Sequence, residues 1–369
     1  MAHSASTALI LSCDLEHNGD AVLYVERPDL EVGRYMTRLT AFQAVQDKNR
    51  SLYRSIRSLV SKGRIGRSDL IHVFESDDDC RDLRELILGA RFPTSNVFLE
   101  DIFKEVLSNS VDNGVTPVIE IDRALSFIPW EIIPFCANDS GEDTLLGEHF
   151  VFVSNLLQHE ELEGQYGLIR KSRVRKNKLT VRAAGDSSVA YASEEQGVIN
   201  ALPRSTFANS RIAMAIKSDA DVDDFFRFFS NDDYDVFHFF GHCSYGALTS
   251  TTSQFELSFS DNWKLGFIDF TRARARFCLS SIGFLNVCAS LPTSPHSGAS
   301  PADYFVSQHG IQFLLATLFP IRGSEAAGFA KIFYDELIPS VVCTASAQYA
   351  SALMRSRTQS AAVGDLSPL

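Results

Sequence analysis

Long apolar runs are missing from this sequence. No run approaches the roughly 18 residues that a membrane-spanning helix needs. The first residues, MAHSASTALILSC, also lack the basic start and the small-residue cleavage site of a secretory signal. These two absences predict a cytoplasmic protein without a membrane partner.

Positive charge is scarce relative to negative charge. The 369 residues include 34 Lys and Arg against 46 Asp and Glu, which gives a formal net charge of -12 at pH 7. General nucleic-acid binders need an excess of Lys and Arg to neutralise phosphates, so direct nucleic-acid binding is not expected. The phosphate-binding patterns GxGxxG and GxxxxGK followed by Ser or Thr are also absent, which argues against a nucleotide-binding protein.

Paired cysteine motifs are missing as well. The sequence has seven cysteines, an odd number, and no CxxC pair. This distribution indicates neither a disulfide framework nor a zinc site, so we expect reduced thiols and no metal or cofactor. A reactive role for one thiol stays open. The cysteines are Cys13, Cys80, Cys136, Cys243, Cys278, Cys288 and Cys343.

The first 115 residues alternate short apolar runs with helical patterns, which predicts an N-terminal α/β subdomain. The predicted strands are TALILSCDL, DAVLYVE and LIHVFES, the first two joined by the turn EHNGD. Apolar residues recur at helical spacing between Thr37 and Val60, and DDDCRDLRELILGARF begins with Asp residues suited to a helix N-terminus. TPVIEID follows as a strand, and Trp130 in FIPWEIIPF is interpreted as an aromatic core anchor in a packed turn.

A basic segment divides the rest of the chain. Residues 169–180, IRKSRVRKNKLT, carry the densest positive charge and form the clearest boundary by composition. After it, continuous apolar strands alternate with helices as far as SEAAGFAKIFYDELI. Strands of this kind predict a mostly parallel sheet with helices on both faces. Two pieces, QFELSFSDN and KLGFIDF, are predicted to form a hairpin.

Two of these strands end in residues with reactive side chains. DVFHFFGHCSYG delivers His242, and SIGFLNVCAS delivers Cys288. In open parallel sheets, functional residues lie beyond the carboxyl ends of the strands. We therefore expect these two strands to be neighbours and both side chains to lie at one edge of the sheet. A thiol needs a base within hydrogen-bond reach to become a thiolate near neutral pH, so the two residues form a minimal nucleophilic pair.

The residues around His242 have more ordinary interpretations. His238 lies inside the apolar run and is interpreted as a core histidine. Cys243 points away from His242 if the strand continues, and it is interpreted as structural. Gly241 and Gly246 flank the pair and predict a flexible turn after His242.

The ordered set of these pieces resembles a CHAT domain, a branch of the caspase-like clan of cysteine proteases that includes the separase-related enzymes. The matching pieces are, in order, LTVRAAGD, ASEEQGVI, YDVFHFFGHCSYG, IGFLNVCAS, SPADYFVSQHGIQFLLATLFPI and FAKIFYDEL. FIPWEIIPF resembles the PWE segment that precedes this domain in the family. His242 precedes Cys288 by 46 residues, close to the roughly 50 residues seen in caspases. The resemblance implies a caspase-like α/β domain over residues 116–369, preceded by the subdomain of residues 1–115.

The resemblance also implies a role for each site residue. His242 is the general base and Cys288 the thiolate that attacks a peptide carbonyl. The backbone N–H groups of Cys288 and of Cys243, in the turn after His242, hold the oxyanion. Asp186 follows the first strand, where an acid in relatives selects Arg or Lys before the scissile bond, and a turn aspartate is the alternative. With an acidic pocket, the basic segment 170–178 is a candidate self-cleavage site; otherwise it is a solvated linker.

The leading hypothesis is a cysteine endopeptidase that cleaves a specific protein partner with a Cys–His dyad and needs no metal or cofactor. By the resemblance, it is an effector of a bacterial signalling or defence system, with a sensor or activator protein as a second partner. The alternative is a catalytically inactive CHAT fold that serves as a binding scaffold. Cys243 stands where the family usually has Gly, and Ala289 stands where it often has an acidic or polar residue. Residues 1–115 are interpreted as a degenerate half of the fold or as a docking domain.

Overall fold

The computed structural model describes two compact units. The described residues up to Asn155 form the first unit, and those from Thr180 form the second. The described residues are 7–28, 34–39, 42–62, 66–93, 95–113, 116–137, 143–155, 180–186, 192–205, 211–215, 225–227, 229, 236–245, 255–260, 263–266, 269, 282–287, 300–302, 304–305, 313–317 and 323–341.

A mixed five-stranded sheet lies at the centre of the first unit. The strands of this unit are β1 (Thr7–Leu15), β2 (Ala21–Glu26), β3 (Arg34–Leu39), β4 (Arg91–Phe92), β5 (Val97–Phe98), β6 (Val118–Asp122), β7 (Pro134–Phe135), β8 (Thr144–Leu145) and β9 (Val151–Asn155). The sheet has the order β3-β2-β1-β6-β9, with the first three strands antiparallel and β1, β6 and β9 parallel. The strands predicted at β1, β2 and β6 are confirmed. Gly19, at a φ of 86°, makes the turn between β1 and β2.

One predicted strand of this unit is a helix. The helices are α1 (Phe42–Lys62), α2 (Arg67–Ser76), α3 (Asp78–Leu88), α4 (Leu99–Asp112) and α5 (Leu146–His149). The run LIHVFES was predicted to be a strand, and this was wrong, because it lies in α2. Leu70, Val73 and Phe74 are its buried side chains, at helical spacing. Seven residues are too few for the apolar period alone to distinguish a buried helix from a buried strand.

The helices on either side of α2 follow the predicted pattern more closely. α1 begins at Phe42 rather than at Thr37, because Thr37 belongs to β3. α3 has the acidic start that was expected: the carboxylate of Asp77 accepts hydrogen bonds from the backbone N–H groups of Asp79 and Cys80, at 3.0 and 3.4 Å. In the described part of the chain, no helix is both long enough and apolar enough to cross a membrane.

The PWE segment belongs to the core of the first unit. Trp130 is 2% exposed, donates its indole N–H to the carbonyl oxygen of Leu125 at 3.1 Å, and stacks on Phe152 at 6.2 Å between ring centroids. The interpretation of Trp130 as a core anchor is therefore confirmed.

The first unit extends beyond the boundary predicted at residue 116. β6 pairs with β1 and β9 pairs with β6, so residues 118–155 complete the first sheet. The two compact units separate after Asn155, closer to the basic segment than to residue 116. Pairing between strands more than 100 residues apart leaves no mark on local composition, which is why the sequence did not reveal it. The basic segment 170–178 itself lies outside the described residues.

The second unit contains the strands that lead to the candidate site. Its described elements are β10 (Thr180–Gly185), α6 (Ala192–Ser205), β11 (Arg211–Ala215), β12 (Val236–Tyr245), β13 (Phe255–Ser260), β14 (Trp263–Gly266), β15 (Ile282–Val287), β16 (Phe313–Ala316) and α7 (Gly323–Val341). Five strands run parallel in the order β11-β10-β12-β15-β16. β13 pairs antiparallel with the end of β12 and with β14, as the predicted hairpin requires.

Side chains of the central strand β12 alternate between two covered faces. Phe237 packs against Phe229 and Phe305, at 4.7 and 4.9 Å between ring centroids. The helical residues that contain Phe229 and Phe305 therefore cover this face. His238 contacts α6 and α7 on the other face. A mostly parallel sheet with helices on both faces is confirmed for the described residues.

Candidate active site

β12 changes its neighbours at the position of the candidate dyad. Val236–Gly241 pairs in parallel with β15, and His242–Tyr245 pairs antiparallel with β13. The strand continues to Tyr245, so the predicted turn does not begin directly after His242. The side chain of His242 is exposed to solvent there. The imidazole is exposed where β12 leaves the parallel sheet, whereas residues 236–240 of the same strand are buried.

The close approach of β13 to β12 requires a glycine at position 241. A Cβ atom on Gly241 would lie 2.8 Å from the backbone oxygen of Ser258 in β13 and 3.3 Å from the ring of Phe239. Contacts under 3.0 Å essentially do not occur for real Cβ atoms. The glycine therefore allows β13 to approach β12 next to His242.

Cys243 has the structural position that was predicted. Its side chain is half-buried and packs against the apolar cluster that includes Phe237, Phe239 and Val287. His242, one residue earlier, is exposed. The two side chains thus have different environments, in line with the alternation of side chains along a strand.

The strand that leads to Cys288 is the direct neighbour of β12. β12 and β15 are parallel, and Gly241 pairs with Val287. His242 directly follows Gly241 in the sequence, and Cys288 directly follows Val287. The predicted adjacency of the two strands is confirmed. Cys288 and Ala289 lie outside the described residues, so the dyad itself stays a prediction.

Asp186 lies beside the end of β12 at the switch point of the sheet. Its backbone N–H donates to the carbonyl oxygen of Phe240 at 3.0 Å, and its side chain is buried, at 1% exposure. A Cβ on Gly241 would be 3.5 Å from the Cβ of Asp186. β10 and β12 are the strands at which the order of a doubly wound sheet reverses, which is where such sheets bind ligands. Asp186 is therefore near His242 along the sheet edge, and its role in specificity stays a prediction.

A buried polar cluster lies on the face of the sheet that α6 and α7 cover. His238 is fully buried; its Nε2 lies 2.8 Å from Oε1 of Glu195 in α6, and its Nδ1 lies 2.9 Å from the hydroxyl of Tyr334 in α7. The interpretation of His238 as a satisfied core histidine is confirmed. Glu195 was not predicted as part of this cluster from the sequence. The signal was its place in a helix where Ala192 and Ile199, three residues before and four after, are also buried.

Burial determines the protonation of the tyrosine in this cluster. Desolvation, and then the charge of Glu195, raise the pKa of Tyr334 well above its ordinary value of 10.0. Its hydroxyl therefore keeps its proton at neutral pH. In the described part of the chain, no three His, Cys, Asp or Glu side chains converge as a metal ion would require.

A comparison with protein families identifies the chain. The model of the CHAT domain matches residues 98–363, well over half of the chain. The chain belongs to the CHAT domain family. A comparison with curated protein sequences finds no match.

The fold of this CHAT protein is similar to that of a chain in a solved protein complex. The crystal structure of the Saccharomyces cerevisiae separase–securin complex contains a similar chain, with a TM-score of 0.53 and 9% sequence identity. The similarity covers 95% of this chain and 28% of that chain. At this identity the comparison shows the fold alone, and the expected caspase-like α/β fold is confirmed.

The CHAT match draws on both compact units. It begins at Phe98, earlier than the start at residue 116 implied by the resemblance, and includes α4, β6 and the PWE segment of the first unit. It continues through the parallel sheet of the second unit, including β12 and β15. The family domain and the compact units are thus different divisions of this chain.

Proposed function

We propose that this CHAT protein is a cysteine endopeptidase that cleaves a specific protein partner, with His242 as general base and Cys288 as nucleophile. The observation that supports this most strongly is the register of β12 and β15, in which Gly241 pairs with Val287. The next residues along the two strands are His242 and Cys288. A dyad here requires that the side chains of these two residues come within hydrogen-bond reach of each other just beyond the last pair of the two strands.

The chemistry follows from these two side chains. His242 takes the proton of the Cys288 thiol, and the thiolate sulfur attacks the carbonyl carbon of the scissile peptide. Backbone N–H groups of Cys243 and Cys288 hold the tetrahedral oxyanion. The imidazolium of His242 then gives its proton to the leaving amine. A water molecule activated by His242 hydrolyses the thioester, which releases the new carboxyl group and restores the thiol. These steps use no metal ion or cofactor.

Asp186 is the proposed residue that selects Arg or Lys before the scissile bond. Its place beside Gly241, one residue from His242, supports this role. A basic side chain that reached a carboxyl group so deeply buried would lose its hydration, and a charge-assisted hydrogen bond would offset that loss. An uncharged side chain at this position would gain no such bond. Under this proposal the basic segment 170–178 is a candidate self-cleavage site.

Further protein partners are part of the proposal. We propose a sensor or activator protein, within a bacterial signalling or defence system in the cytoplasm, as the resemblance implies. The similar yeast chain comes from a complex of separase with securin, which supports a search for protein partners. The N-terminal region, predicted as residues 1–115, is proposed as a degenerate half of the fold or a docking domain. That the similarity covers 95% of the chain supports the first alternative.

An inactive scaffold is the second candidate function. Cys243 follows His242 where the family usually has Gly, and its side chain packs into the apolar cluster. β12 also stays paired with β13 as far as Tyr245, so its backbone is not a free turn that could present N–H groups to an oxyanion. Both observations favour a domain that binds proteins without cleaving them.

Labelling with acyloxymethyl ketone probes that carry Arg or Lys separates the two functions. Labelling of the wild type should be lost in Cys288→Ala and His242→Ala and kept in Cys243→Ala, which is the matched thiol control. In Asp186→Asn the preference for a basic probe over a matching Leu probe should fall, because the charge pair is removed.

Each outcome of the labelling experiment tests a different part of the proposed function. If Cys243→Ala alone abolishes labelling, the nucleophile is assigned to the wrong cysteine. If Asp186→Asn keeps the full basic preference, Asp186 does not line the pocket. If no probe labels the wild type, with or without candidate partner proteins, the scaffold function is favoured.

A further inference from the structure

Each of the two strands that lead to the dyad contains one buried polar side chain that contacts the same oxygen atom. In the stretch of β12 that pairs with β15, the polar side chain is His238; in β15 it is Asn286. Oε1 of Glu195 in α6 lies 2.8 Å from Nε2 of His238 and accepts a hydrogen bond from Nδ2 of Asn286 at 2.6 Å. A single carboxylate oxygen thus links neighbouring strands of the sheet.

Helix α7 contacts the same two side chains. Its Tyr334 hydroxyl lies 2.9 Å from Nδ1 of His238, and the backbone oxygen of Ala326 accepts a second hydrogen bond from Nδ2 of Asn286, at 3.1 Å. Both partners of Asn286 are acceptors, which determines the orientation of its amide. A carboxylate can only accept, so Nε2 of His238 donates to Glu195.

The cluster retains one unsatisfied atom. Oδ1 of Asn286 is buried and has no hydrogen-bond partner in the described part of the chain. A buried acceptor without a partner is destabilising, and an apolar side chain of similar size would avoid that penalty. The two hydrogen bonds that Asn286 donates, to Glu195 and to Ala326, have to offset this cost.

Polar contacts of this kind also select the register in which two strands pair. The other described side chains of these strand segments are apolar or absent, and apolar side chains tolerate a shifted partner far better than polar ones. A buried polar contact is satisfied in one alignment only, in the way that a buried Asn selects one alignment of a coiled coil. In the observed register, Gly241 is opposite Val287 and both His238 and Asn286 reach Glu195.

We infer that Glu195 and Asn286 are positioning residues, which hold β12 and β15 in the one register that brings His242 beside Cys288. The inference rests on the proposed function. His238 is four residues before His242, or about 13 Å along the strand, and Asn286 is two residues before Cys288, or about 7 Å. The cluster acts through the strands and does not touch the reacting atoms.

The pH profile of Cys288 alkylation tests this inference without a known substrate. Iodoacetamide reacts with thiolates, and the rate at the peptide containing Cys288 is measured by mass spectrometry between pH 5 and pH 9. A Cys288 paired with His242 should react well below pH 8.5, the ordinary thiol pKa, and His242→Ala should remove this low-pH reactivity.

Asn286→Leu is the decisive variant, because it removes the link between the strands together with the unsatisfied oxygen. We expect the alkylation rate at pH 6.5 to fall about tenfold, since the thiolate fraction reverts to that of an unpaired thiol. Urea unfolding of the same variant shows whether it is folded. Glu195→Gln keeps an acceptor at Oε1 and should retain the wild-type profile. Glu194→Ala, the exposed neighbour on α6, is the matched control for Glu195→Ala.

Each outcome is decisive. If His242→Ala changes the profile and Asn286→Leu, although folded, does not, the positioning role is overturned and the proposed function stands. If Glu194→Ala lowers the rate as much as Glu195→Ala, the effect is not specific to the cluster and the inference is again overturned. If His242→Ala leaves the profile unchanged, no dyad exists, and the proposed function and the inference fail together.

Discussion

Replacing Gly241 by alanine tests how closely the strands approach each other beside His242. The new Cβ atom would lie 2.8 Å from the backbone oxygen of Ser258. That oxygen belongs to β13, so it can recede only if the strand moves away from β12. Overpacking of this kind costs about 1–3 kcal/mol. If the amides of β12 exchange by local separation of β12 and β13, this loss of stability makes their exchange about 5- to 150-fold faster.

Hydrogen exchange followed by mass spectrometry measures this effect on peptides that cover Val236–Tyr245. Gly197→Ala is the matched control, because a Cβ on Gly197 in α6 meets nothing within 4 Å. In a helix, this change should stabilise the protein by about 0.5–1 kcal/mol. The same substitution should therefore have opposite effects at the two positions. If Gly241→Ala shows wild-type exchange in β12 and the same urea midpoint as Gly197→Ala, the close approach of β13 is refuted.

Three further predictions concern the first unit. Desolvation, and then the charge of Arg67, lower the pKa of His149 from its ordinary value of 6.5. The folded protein therefore favours the neutral ring. The stability that the neutral ring contributes is complete above pH 6.5 and is lost as the pH falls towards the lowered pKa. The urea midpoint should show this loss, and His149→Gln should make its pH dependence flatter. Burial raises the pKa values of the Cys13 and Cys80 thiols to about 12, so iodoacetamide at pH 8 should label neither in the native protein and both in urea; native labelling would contradict their burial. Trp130→Ala should reduce the free energy of unfolding by about 3–5 kcal/mol, because the indole is 2% exposed and hydrogen-bonded; a loss below about 1 kcal/mol in urea unfolding would be incompatible with that packing.

The parallel strands of the second unit were predictable from local sequence. Runs such as VFHFF in β12 and IGFLNV in β15 are apolar on both faces, which is typical of strands buried between two helical layers. Their adjacency was predictable too, because both lead to reactive residues. The helix α2 was misassigned because a short apolar run fits either a buried helix or a buried strand until its neighbours are known.

Two features of the candidate site could not be predicted from local sequence. The continuation of β12 to Tyr245 depends on pairing with Phe255–Ser260, and no property of GHCSYG indicates a partner that begins ten residues later. The contacts of Glu195 are the second feature, because its spacing from Ala192 and Ile199 indicates a buried position but not the partners that it meets there. A glutamate in an amphipathic helix is usually exposed, and only the packing of α6 onto the sheet buries this one beside His238.

Local sequence was enough to predict the buried strands of the second unit, the reactive residues to which they lead, and the resemblance of their order to the CHAT family. These properties depend on periods of two to four residues and on short motifs, so they are local. The tertiary structure alone decided that residues 118–155 complete the first sheet, that Gly241 meets Val287, and that one carboxylate oxygen contacts both strands. Hydrogen bonds between residues far apart in the chain select one alignment among many that the local pattern permits.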